Sequence, residues 1–85
     1  MTPEIIAGNI VTSVHSFVQK HGKSPQQIHV HPNTFRIVKP KLLLRFGSNY
    51  YFQAVLGGTA RSIRVRSSFS VNDSQILLTD MPPTS

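Results

Sequence analysis

The sequence predicts an α+β fold: one long N-terminal helix packed on a small, mostly antiparallel sheet of three to four strands, with a short second helix. Three observations predict it. Residues 3–21 carry apolar side chains at three- and four-residue steps, the helical period. Residues 28–31, 50–56 and 61–67 alternate apolar and polar side chains, the period of a half-buried strand. The helical signal comes first and most strand signals follow, an order that suits helices on one side of a sheet. The 85 residues are enough for one domain, assigned to 1–80, with 81–85 (MPPTS) as a loose tail.

The helix over 3–21 has signals at both ends. Thr2 suits the N-cap and Pro3 the first helical position, where no amide hydrogen is needed. Glu4 favours the positive end of the helix dipole, and Lys20 and His21 the negative end. Gly22 follows where a left-handed residue closes a helix. Ile6, Ile10, Val14 and Phe17 form the buried stripe, widened by Ala7, Val11 and Val18.

Ile28-His29-Val30-His31 predicts a strand ended by Pro32. Pro32–Val38 predicts a short helix limited by Pro40, because a residue before proline avoids the α region. Residues 41–46 are ambiguous, since Leu42-Leu43-Leu44 is too short a run for periodicity to decide. Gly47-Ser48-Asn49 predicts a turn. Residues 50–56 and 61–67 predict a hairpin around Gly57-Gly58-Thr59-Ala60. Its parity places Tyr50, Phe52, Ala54, Ile63 and Val65 on one face, and Tyr51, Gln53, Arg64 and Arg66 on the other. Residues 67–74 predict a polar loop and 76–79 a last strand. The expected core is Ile6, Ile10, Val14, Phe17, Ile28, Val30, Phe35, Phe52, Ile63, Val65, Ile76 and Leu78.

The charge is asymmetric. Nine Lys and Arg face three acids, for a net charge of +6. All nine bases lie between Glu4 and Asp73, a stretch without a carboxylate side chain. Such a field attracts polyanions: nucleic acid, an anionic membrane, or an acidic protein face. The absence of Cys excludes disulfides and thiolate metal sites. The apolar stretch 5–18 is interrupted by polar residues and falls short of the roughly 20 needed to span a bilayer. A cytoplasmic protein of the producing or host cell is expected, or a virion component, with no membrane partner.

The candidate site is the arginine strand. Arg64 and Arg66, two residues apart, project to one side of a strand, with Tyr51 beside them and Arg61 near the turn. Guanidinium forks grip phosphates, and an exposed tyrosine stacks on unpaired bases. The alternative is a polar, solvated sheet face. Lys39 and Lys41, flanked by Arg36 and Arg45, form a second basic cluster. It supports the first only if both lie on one side, which the sequence leaves open.

Catalytic chemistry finds few residues. Carboxylates are too scarce for paired acid–base work or for orienting a Ser-His-acid triad. His29 and His31 share a strand face and suggest two metal ligands. Two further ligands are lacking, so the expectation is solvent-facing histidines with no metal and no cofactor. The same pair supports a metal-independent ribonuclease as a third reading, with Arg64 or Lys41 steadying the phosphorane. The segment Leu42-Leu43-Leu44, with Phe46, Tyr50 and Tyr51, suggests either a strand buried on both faces or an oligomer or partner interface.

Residues 21–38, HGKSPQQIHVHPNTFRIV, resemble an element of small tailed-phage head and accessory proteins. There a helix ends at a His-Gly turn, followed by x-Pro-x-x-Ile-x-Val-x-Pro, a short helix and strands. The matching positions are His21, Gly22, Pro25, Ile28, Val30 and Pro32, within about a fifth of the chain. The resemblance implies a viral origin, as a virion component or a host-directed protein, and carries no catalytic residue. Together these features predict a small non-enzymatic binding protein that docks Arg61, Arg64, Arg66 and Tyr51 on nucleic acid, with Lys39 and Lys41 in support. The alternative is an interaction or virion subunit, or a host-factor inhibitor, that binds protein and not nucleic acid.

Overall fold

The N-terminal helix forms where its capping residues set it. In the computed structural model, which describes residues 2–45 and 47–80, α1 spans Pro3–His21. Phe46 and the expected tail at 81–85 lie outside the described residues. Thr2 Oγ1 accepts the Ile5 N–H at 3.2 Å. Gly22, at φ 71°, ends the helix in the left-handed region, and its N–H donates to Val18 O at 2.8 Å. Ile6, Ile10 and Val14 are fully buried, while Phe17 is half-buried against the His21 ring. Each such burial contributes about 1.5–3 kcal/mol.

The remaining elements are β1 (Gln27–Val30), α2 (Pro32–Val38), a 3-10 turn at Lys39–Lys41, β2 (Leu43–Arg45), β3 (Asn49–Leu56), β4 (Thr59–Ser67) and β5 (Ile76–Thr79). The strands form one sheet in the order β2-β3-β4-β1-β5. The α+β class and the hairpin are as expected. The sheet is larger and less antiparallel than expected: five strands, with β1 parallel to β4. The fifth strand is β2, three residues long, from the segment whose period could not be read. The parallel pair joins residues about 37 apart in sequence, a non-local match that no local pattern encodes.

Gly57 and Gly58 (φ 57° and 80°) close the β3–β4 hairpin as a two-residue turn. Both positive angles match the twist of the flanking strands, so β4 begins at Thr59 rather than residue 61. β1 also ends one residue earlier than expected. Pro32 opens α2, and the residue before it becomes the cap, so His31 leaves the strand.

Helices cover one face of the sheet only. Ile6, Ile10 and Val14 of α1, Val38 of α2 and Leu42 pack against Ile28, Val30, Phe52, Ala54, Ile63 and Val65. Phe35, Ile76 and Leu78, expected in the core, pack at its margin. Val38, Leu42 and Val71 are buried beyond expectation. Val71 belongs to the loop 68–75, which is pinned to α2 where Thr34 Oγ1 donates to Asp73 O at 2.8 Å.

Candidate nucleic-acid interface

Register assigns every strand residue to a face, because directly paired residues project to the same side. Val65, on the helix-covered face, pairs with Tyr50 and Ile28, and Ile28 with Leu78. The next row belongs to the uncovered face: Leu43, Tyr51, Arg64, Gln27 and Thr79 in order across all five strands. His29 pairs with both Arg66 and Leu77 on that same face, and Arg45 pairs with Asn49. The uncovered face thus presents three arginines, a tyrosine and a histidine. No Asp or Glu stands in any described strand.

Three of the six expected site residues are brought together: Arg64, Arg66 and Tyr51. Arg66 is exposed; Arg64 and Tyr51 are half-buried. Arg64 Nη donates to Asn49 Oδ1 at 2.9 Å, which fixes the guanidinium across the β3–β4 pair. Arg61 is a correction. It pairs with Ala54, whose side chain is buried on the helix-covered side, so Arg61 projects away from Arg64 and Arg66. It borders a hollow shared with Val18, Gly22 and Lys23 beside the end of α1. The strand period of two explains this, since 61 has the parity of the core residue Ile63.

Lys39 and Lys41, whose side the sequence left open, stand on the helical side. Lys39 Nζ lies 5.2 Å from the centre of the Tyr50 ring, which itself meets Phe35 edge-on at 5.4 Å. Lys41 Nζ is 3.6 Å from Glu4 Oε1. Backbone hydrogen bonding at the helix start holds the Glu4 carboxyl below its ordinary pKa, with Lys41 adding to the effect.

The acids are all engaged elsewhere. Glu4 faces Lys41, Asp80 Oδ2 lies 2.6 Å from Lys23 Nζ, and Asp73 Oδ1 lies 2.8 Å from His31 Nδ1. Hydrogen bonding from Lys23, then its charge, lowers the Asp80 pKa. Among the described residues, no arginine is in an ion pair with a carboxylate. The open-face guanidiniums therefore carry charge that no described carboxylate neutralises.

Sequence reasoning missed His29 and Arg45 as members of this face. The outward parity of His29 was legible; its adjacency to Arg66 depends on the β1–β4 pairing and was not. Burial pushes the His29 imidazole below its ordinary pKa, and the neighbouring Arg66 charge adds to this. His29 therefore stands as a neutral ring beside a cation at pH 7. His31 does not join it. Its Nδ1 is placed both to accept the Asn33 N–H at 3.1 Å and to meet Asp73. A lone pair serves Asn33 and a proton serves Asp73, so the two bonds are alternatives. Among the described residues no three His, Asp or Glu side chains gather to hold a metal ion.

The leucine segment is divided between the faces. Leu42 is buried, Leu43 is half-buried on the open face and Leu44 is exposed on the other side of edge strand β2. Phe46, expected in the same patch, lies outside the described residues. Val55 (63 % exposed) and Leu77 (44 %) are the large exposed apolar residues of the open face. No described helix is long and apolar enough to cross a membrane.

Comparison of the chain with protein-family models, with curated proteins and with solved structures gives no match. The open face alone carries the functional reading.

Proposed function

We propose that this chain is a small non-enzymatic protein that binds single-stranded nucleic acid on the uncovered face of its sheet. One observation carries the reading. Arg45, Arg64 and Arg66 share a face with Tyr51 and His29, and each of the three carboxylate side chains lies beside Lys41, His31 or Lys23 rather than beside an arginine. Phosphates meet the guanidiniums, and unpaired bases find Tyr51 and His29 as stacking surfaces. A duplex keeps its bases stacked inside and uses the arginines only, so single strands are preferred. His29 stands in β1 and His31 at the cap of α2, an arrangement that favours the binding reading over a ribonuclease.

The test is fluorescence anisotropy with a labelled single-stranded oligonucleotide at about 50 and about 200 mM salt. Arg66→Glu reverses an exposed charge on the binding face. It is expected to weaken binding by roughly tenfold or more and to flatten the salt slope by about one to two. Arg61→Glu, the same reversal on the other side of the sheet, is expected to have a much smaller effect. Equal losses in both variants overturn the assignment of the face. No binding by the unmutated protein at low salt favours an acidic protein partner instead.

A further inference from the structure

The strongest feature beyond the flat face is a hollow at one end of it, where β3 begins and β4 finishes. It measures about 230 Å³ and is lined by Ser48, Asn49, Arg64, Arg66 and Ser67. Phe35, Tyr50 and Val65 complete the lining from the helix-covered side. This volume falls below the roughly 300–1,000 Å³ of sites that enclose drug-sized ligands, and suits one phosphate with part of its nucleotide.

The lining has the chemistry of an anion site. Two arginines line it, the Arg64 guanidinium held by Asn49, together with two serines and no carboxylate. Lys39 adds a third positive charge from the opposite side, over the Tyr50 ring that lines the hollow. Lys39 of the second basic cluster is thus linked to this end of the sheet through the Tyr50 ring.

An internal phosphodiester lying along the open face meets Arg64 and Arg66 from one side only. A terminal phosphate is free to turn over the end of the sheet into the hollow. It carries about −1.5 to −2 charge at pH 7, against −1 for a diester, and presents three acceptor oxygens. We infer that this hollow binds the phosphorylated end of a nucleic-acid strand whose body lies on the open face. The inference rests on the single-strand reading above and adds to it a preference for phosphorylated ends.

The test compares one single-stranded oligonucleotide in three forms: 5′-phosphorylated, 3′-phosphorylated and hydroxyl-ended. One phosphorylated form is expected to bind about tenfold tighter than the hydroxyl-ended form, a gain of about 1.4 kcal/mol. Ser48→Ala and Ser67→Ala, which line the hollow without touching Arg64 in the described hydrogen bonds, are each expected to reduce that ratio and leave the affinity of the hydroxyl-ended form nearly unchanged, with thermal melts confirming that both variants fold. Equal affinity of all three forms overturns the terminal site and leaves the open-face reading standing. A ratio unchanged in both variants also overturns the location. A nucleoside monophosphate that binds as tightly as the phosphorylated oligonucleotide overturns the strand end as the ligand. Binding of no form removes this inference together with the reading it rests on.

Discussion

At the residue scale, His29 couples the candidate face to pH. Its folded pKa is depressed from 6.5 by burial first and by Arg66 second. Between the folded pKa and 6.5 the unfolded chain therefore holds a proton that the folded chain lacks. Stability is accordingly full above 6.5 and declines as pH falls through that window. His29→Gln is expected to remove this part of the pH dependence, so the difference between the two melting curves shrinks or reverses from pH 7 to pH 5. Differential scanning calorimetry at several pH values measures it, and parallel curves contradict it. A bound polyanion favours the protonated ring, so nucleic-acid binding is also expected to draw a proton onto His29 near neutral pH. Arg64 and Arg66 differ in kind from it: their charge is fixed, and only their partners decide what it does.

At the element scale, two glycines predict opposite outcomes. Gly58 stands at φ 80° in the hairpin turn, where a Cβ is strained whatever the space around it. Gly58→Ala is expected to cost roughly 1–2 kcal/mol. Gly8 stands inside α1 with nothing within 4 Å of an added Cβ, and Gly8→Ala is expected to stabilise by about 0.5–1 kcal/mol. Urea titrations of the two variants check both signs. Such local chemistry is what made the elements legible. Thr2, Pro3 and Gly22 delimited α1, and Phe52, Ala54, Ile63 and Val65 gave the inward parity that turned Arg64, Arg66 and Tyr51 outward. β2 was not legible, because three residues, Leu43 to Arg45, show no period. His31 misled because alternation placed it on the strand, and the capping demand of the following proline took it off.

At the scale of the whole molecule, the helices occupy one side, and the position of each charge follows from strand order and parity. Strand order is non-local, so the sequence could not show that Lys39 and Lys41 stand behind the sheet from Arg66. Arg61 needed only the register of a two-residue turn, yet its closeness in sequence to Arg64 suggested one cluster. The net charge of +6 is a property of composition; the cationic open face is a property of the fold. Each acid serves a contact at the helical layer or the edge of the sheet: Glu4 to Lys41, Asp73 to His31 and Asp80 to Lys23. The structural consequence is a face that carries guanidinium groups and aromatic rings, with no carboxylate in any described strand.

The most direct test of that face is a nuclear magnetic resonance titration of isotope-labelled protein with a single-stranded oligonucleotide of about eight nucleotides, within the usual site sizes. Side-chain signals of Arg64, Arg66, Tyr51 and His29 are expected to shift together and saturate, while those of Arg61 and Lys41 stay in place. Shifts confined to Lys41 and α1, or no shifts at low salt, contradict the assignment of nucleic acid to the open face.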